Sequence, residues 1–195
     1  SVHLPLDVYL GNDDPEERER SVRKCLRVIR LCSKLPKSAY VMHFESGPGV
    51  DINKFNRDER LRFVKNVGES VSMMLGHSGE EERLFCAENL NYPFGLVWPV
   101  VDELGLSVTL DVGHLEFYGF PVENHLELYL KRAGVLHMHG TFEGRDHNSL
   151  AHLRPETLAS VMRSLQVGAR EKVFTMEIFS ENDFITSCEV MGKWL

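Results

Sequence analysis

Apolar positions in this chain fall into two alternating patterns. Short, mainly apolar runs occur at Val2–Leu6, Ala39–Phe44, Leu84–Glu88, Leu106–Asp111, Val135–His139 and Val173–Ile178. Between them lie longer segments whose apolar residues recur every three to four positions, the spacing of a helix with one buried face. The first of these predicts a helix from Pro15 to about Ser33, with Val22, Cys25, Leu26, Ile29 and Leu31–Cys32 as its stripe. A second runs from about Arg57 to Leu75 on Leu61, Val64, Val67, Val71 and Met74. A short helix broken by Pro99 is expected within Phe94–Leu104, and others at Val122–Ala133, Glu156–Leu165 and Phe184–Trp194. Gly140–Arg154 reads as a polar loop. Strands apolar on both faces and separated by helices predict an α/β fold with a parallel sheet covered by helices. No Gly-, Pro- or Ser-rich linker interrupts residues 1–195, so a single domain is expected.

The polar residues at the strand ends carry the chemistry. Side chains alternate along a strand, so Cys86 and Glu88, Thr109 and Asp111, His137 and His139, and Thr175 and Glu177 each share a side. The inward set at the strand ends is then His3, His43, Glu88, Asp111, His139 and Glu177, with His114 in the loop beyond Asp111 and Glu45 beside His43. His137 is read as a core histidine, and His77 and His125 as solvated. Several converging carboxylates need a counter-charge, and few lysines or arginines lie near these positions. Divalent metal ions, one to three of Zn, Mn, Fe or Co, meet that need, since mixed His and carboxylate ligation suits them. Within the polar loop, Arg145 has the fork to hold a phosphate or hydroxyl oxygen, and Asp146 and His147 are candidates for a further metal or a proton relay.

Composition narrows the partners. Twenty-two Lys and Arg stand against 29 Asp and Glu, for a formal net charge of -7, which argues against nucleic acid as the main ligand. Cys25, Cys32, Cys86 and Cys188 lack zinc-knuckle spacing and read as reduced thiols of a cytoplasmic protein. No run is long enough to span a membrane, and no basic leader precedes the first strand. The chain opens on a strand without Met, so its natural beginning is expected to lie further upstream.

With these pieces in place the chain resembles the xylose isomerase-like TIM-barrel superfamily of sugar isomerases, epimerases and endonuclease IV-type enzymes. The matching segments are HLPLD (His3–Asp7), VMHFESGPG (Val41–Gly49), CAENL (Cys86–Leu90), TLDVGH (Thr109–His114), HMHG (His137–Gly140), DHNSL (Asp146–Leu150) and MEIF (Met176–Phe179). The resemblance implies a (β/α)8 barrel lacking its first strand and helix here, with a missing N-terminal fragment of the same protein as a partner. It implies one metal held by Glu88, Asp111, His139 and Glu177, and the two glutamates as proton carriers in epimerases. His114 and Arg145 would hold substrate oxygens. In the endonuclease-like branch His3 and His43 would bind further metal, and Asp146, His147 and His114 a third ion, although Asp146 and His147 are adjacent where that branch separates them by one residue.

Two activities follow. His3 and His43, which a one-metal isomerase does not need, favour a metal-dependent phosphodiesterase, with the cobamide-remodelling branch as a candidate home. The alternative is a sugar or sugar-phosphate isomerase or epimerase using one metal and the glutamate pair. Either substrate is small and phosphorylated or sugar-like. A third reading, a ligand-binding barrel without catalysis, makes least use of the ligand set.

Overall fold

The computed structural model describes residues 1–167 and 171–194. In chain order the elements are β1 (Val2–His3), α1 (Pro15–Cys32), β2 (Tyr40–Met42), α2 (Arg57–Ser78), β3 (Phe85–Glu88), α3 (Trp98–Glu103), β4 (Ser107–Asp111), α4 (Val112–Phe117), α5 (Val122–Tyr129), β5 (Ala133–Met138), β6 (Gly140–Phe142), β7 (Arg145–Asn148), α6 (Pro155–Val167), β8 (Val173–Met176) and α7 (Glu181–Met191). The α/β class and the six predicted strands are as expected. They form the repeated βα unit of which a whole barrel has eight. The contacts divide into two compact units, Ser1–Glu88 with Tyr92–Val108, and Asn89–Asn91 with Thr109 onward.

In the first unit β1, β2 and β3 lie side by side and parallel, with Val2 opposite Tyr40 and Tyr40 opposite Phe85. The start of β4 is tied to this unit by the Ser107 hydroxyl, which donates to the Arg83 carbonyl at 2.7 Å. Local chemistry starts both long helices. Asp14 accepts from the Glu16 N–H ahead of Pro15 in α1, with Glu16 and Glu17 in the first turn. Asn56 and Glu59 form a reciprocal capping box on α2, which Gly79 ends at φ +70°.

Two residues leave the expected stripes: Leu31 is 74% exposed and Leu61 61%. On α2 the buried face instead takes in Asn66 and Ser70. Asn66 donates to the Asn12 carbonyl at 3.0 Å and Ser70 to that of Leu10 at 2.7 Å. The loop after β1 carries carbonyls that need donors, so polar side chains hold positions a hydrophobic count assigns to Leu61. Gly11 in that loop lies against Phe63, where a Cβ would come within 2.3 Å of the ring.

In the second unit the end of β4 is followed by β5 and then β8, with β5 and β8 parallel and Val135 opposite Val173. Three boundaries differ from expectation. The helix after Pro121 stops at Tyr129, and a turn in which the Arg132 and Ala133 N–H groups donate to Tyr129 and Leu130 starts β5 early, so Gly134 lies in the strand. α7 begins at Glu181 because the Ser180 hydroxyl caps it, accepting from the Asp183 N–H at 3.1 Å. The expected loop at 140–148 is a hairpin of β6 and β7, closed by Glu143 and Gly144 at φ +50° and +72°. Two successive positive φ angles match the twist of a tight hairpin, and only one of the two residues is glycine. Among the described residues no helix is long and apolar enough to cross a membrane.

Candidate metal centre

The first unit brings three of the expected residues together. Glu88, at the end of β3, is 1% exposed. Its Oε2 lies 3.1 Å from His43 Nε2 and 3.6 Å from His3 Nε2. All three ligand atoms fall within 4.8 Å of one another. The Leu4 carbonyl, 2.8 Å from His3 Nδ1, can only accept, so Nδ1 donates to it and Nε2 is the nitrogen that faces Glu88. Burial opposes charge on His43, yet the Glu45 and Glu88 carboxylates outweigh it and raise its pKa to about 9.

In the second unit Asp111 is fully buried at the end of β4. Asn89 holds its backbone from both sides, accepting from the Asp111 N–H at 2.8 Å and donating to the Asp111 carbonyl at 2.9 Å. Asp111 Oδ1 accepts the His114 N–H at 2.7 Å, which makes it the N-cap of α4. His114 therefore sits on a helical turn, where the sequence suggested a loop. Its Nδ1 is 3.4 Å from Asp111 Oδ2.

Histidine pairing departs from the expected set. His137 is drawn in with Asp111 and Glu177, the ligand atoms of all three lying within 4.8 Å of one another. Its Nδ1 is 2.9 Å from Glu177 Oε2 and 3.8 Å from Asp111 Oδ2. His137 is buried, as expected of a core histidine, and its partners are the acids of this cluster. His139 groups instead with His114 and His147, while its Nε2 stays 3.1 Å from Asp111 Oδ1. The signal was available: His137 and His139 share a face, two residues apart.

Glycines make room for these rings. A Cβ on Gly113 would lie 2.3 Å from the His139 ring, and one on Gly140 only 2.0 Å from the Ser149 carbonyl oxygen. His139 and His147 stack at 4.3 Å, and His147 stacks in turn on Phe179 at 4.5 Å. His147 adopts φ +58° and donates its backbone N–H to His139 Nδ1 at 3.0 Å. A left-handed histidine is strained, and here the strain aims that donor. His147 Nδ1 also meets Asp146 Oδ1 at 3.0 Å. Against the opposing effect of burial, Glu177 and Asp146 raise the His147 pKa to about 9. Burial likewise opposes charge on His139, and Asp111 overrides it in the same direction. Arg145 opens β7 on the exposed side of the hairpin.

These donors fit a divalent cation. Asp111 Oδ2 is buried with no hydrogen-bond partner among the described residues, which is costly unless a positive charge takes its lone pairs. Carboxylate oxygens and imidazole nitrogens at these separations form a cluster able to chelate one. Asn89 and Phe179, which orient and cover this cluster, were not singled out from sequence.

Comparison with solved structures gives a D-tagatose 3-epimerase-like protein at TM-score 0.72 and 17% identity, covering 99% of this chain and 75% of the other. The IOLI protein with a bound zinc atom matches at 0.71 and 15%, again over 99% and 75%. The 3-keto-D-glucoside 4-epimerase YcjR from E. coli, in its apo form, matches at 0.69 and 11%, over 98% and 76%. No curated protein matched the sequence. The phosphodiesterase expectation is corrected by these structures, which are named as epimerases or as a zinc-bound protein; none of them points to a cobamide-remodelling enzyme. The family described as xylose isomerase-like TIM barrel matches residues 1–191, and the chain belongs to it.

Proposed function

We propose that this chain is a divalent-metal-dependent sugar or sugar-phosphate isomerase or epimerase. The observation that carries the reading is the difference between two acids in one cluster. Asp111 is fully buried and serves only as a ligand, whereas the Glu177 side chain, 19% exposed, can meet both an ion and a substrate. Names of the similar structures support the same class. Asp111, Glu177 and His137 would hold the ion, with Glu88 and His139 added on the strength of the resemblance. When bound, the ion polarises a sugar carbonyl and its neighbouring hydroxyl, which acidifies the C–H between them.

The side chains then move one proton. Glu177 takes it from the carbon beside the carbonyl, and a second acid returns a proton to the other face of that carbon, so composition is unchanged and configuration inverts; the resemblance makes Glu88 that acid. His114 and Arg145 are the residues proposed to hold the sugar oxygens. The substrate is small, and cysteines that form no disulfide among the described residues accord with a reducing, cytosolic setting.

The test is solvent exchange. Zinc- or manganese-loaded protein in D2O, offered a panel of ketohexoses and their phosphates, should place deuterium on the carbon next to the carbonyl, read by NMR. Glu177→Gln should abolish the exchange. Loaded protein that exchanges no member of the panel refutes the assignment.

A further inference from the structure

Two acids stand at strand ends in the second unit, and their backbones are held in different ways. The Glu177 N–H donates to the Met138 carbonyl at 3.1 Å, an ordinary bond between parallel neighbours. Asp111 ends β4, and the residue that pairs with its backbone is Asn89, one position beyond the end of β3. Asn89 keeps a single ladder bond, its N–H donating to the Thr109 carbonyl at 3.4 Å. In a regular parallel ladder the Asn89 carbonyl would then accept from the Asp111 N–H. That carbonyl faces His114 Nδ1 at 3.3 Å instead, and the Asn89 side chain takes its place. Oδ1 accepts from the Asp111 N–H at 2.8 Å, and Nδ2 donates to the Asp111 carbonyl at 2.9 Å. Asn89 is 1% exposed and Asp111 fully buried, so neither backbone group of Asp111 can turn to bulk water.

We propose that Asn89 is a positioning residue of the metal centre, acting through Asp111 and His114; this rests on the metal-dependent reading above. A side-chain amide offers the donor and the acceptor of a peptide group, so it can stand in for the peptide that the chain withdraws as it leaves the sheet. The exchange has two consequences. It pins the Asp111 backbone from both sides, which fixes the direction of Oδ2, the buried oxygen with no hydrogen-bond partner among the described residues. It also turns the Asn89 carbonyl to His114, and because a carbonyl only accepts, Nδ1 of that ring donates to it. His114 is held a second time through its own backbone, whose N–H donates to Asp111 Oδ1 at 2.7 Å. One amide therefore sets both a carboxylate that faces the ion and an imidazole that faces the substrate. Partners of this kind change metal affinity by aligning the ligands, although they touch neither ion nor substrate.

Calorimetric zinc titration and the visible spectrum of the cobalt-loaded protein test this. In Asn89→Ser the hydroxyl is too short to span both Asp111 groups, and the space it leaves admits a water to satisfy them, so the fold survives; circular dichroism checks this. Zinc affinity should fall about 10- to 100-fold. Cobalt accepts the same nitrogen and oxygen donors, and its absorption bands, which report ligand geometry, should change in position or intensity as Asp111 shifts. Asn89→Gln is the second variant: it keeps the amide but carries it one methylene too far, so both readouts should move again. Asn56→Ala, which removes the cap of α2, is the control for lost stability alone and should bind both metals as wild type does. Wild-type affinity and an unchanged cobalt spectrum in both Asn89 variants would overturn the proposal. So would equal losses in Asn56→Ala, or a wild-type protein that binds no zinc. Neither readout involves a sugar, so a protein that meets these expectations yet exchanges no deuterium refutes the isomerase reading and leaves the role of Asn89 standing.

Discussion

Replacing Gly113 by alanine sets two physical effects against each other in the candidate centre. Gly113 lies within α4, where alanine is favoured over glycine by about 1 kcal/mol through backbone entropy. The added Cβ, however, would sit 2.3 Å from Cε1 and Nδ1 of His139 and 2.4 Å from Nε2, well inside van der Waals contact. His139 is fully buried, held by the His147 N–H and stacked on its ring, so it has little room to retreat. Overpacking of this kind costs about 1–3 kcal/mol, which leaves a net destabilisation of roughly 0–2 kcal/mol. Displacing the ring also moves Nε2 away from Asp111, so zinc affinity should fall about 10- to 100-fold. Gly76→Ala is the control. That glycine is also helical but exposed, with no atom within 4 Å of an added Cβ, so the substitution should stabilise by about 1 kcal/mol. Urea denaturation followed by circular dichroism gives both stabilities, and calorimetric titration gives the zinc affinity. If Gly113→Ala stabilises as much as Gly76→Ala and binds zinc as wild type does, the packing of His139 on Gly113 is wrong.

Other outcomes follow from single contacts. His43 and His147 have folded pKa values raised from 6.5 to about 9, so in metal-free protein their stabilisation is complete below about pH 6.5 and lost as pH rises through about 9. Charged His43 and His147 stand against the Glu88 and Glu177 carboxylates and repel a cation there, so zinc affinity should climb as they lose their protons over the same interval; titration in buffers of different ionisation enthalpy would expose a pH-independent, proton-neutral binding that contradicts this. Asn56→Ala removes the capping box of α2 and should lower stability by about 1 kcal/mol in urea denaturation. Glu143→Asn places a residue tolerant of positive φ at the hairpin turn and should raise the thermal midpoint, a gain of about 0.5–1 kcal/mol.

Much of the site was legible in the sequence because strand alternation and helix spacing are local. His3, His43 and Glu88 sit together as the strand ends suggested, and Asp111 lies buried among histidines. The capping signals at Asp14 and Asn56 marked helix starts, though Ser180 shows how an unread cap moves a boundary by three residues. Where a polar residue has a specific loop carbonyl to satisfy, as Asn66 and Ser70 do, hydrophobic counting misplaces the buried face.

What the sequence determined by itself was the order of strands and helices and which side chains share a strand face, since both depend on a fixed period along one backbone. Only the tertiary structure decided that His137 joins Asp111 and Glu177 while His139 turns to His114 and His147. Two histidines on one face are equivalent to a period of two; the stagger of neighbouring strands separates them. Likewise the left-handed backbone of His147 is held by the hairpin and ring stack around it, and no pattern along the chain encodes that.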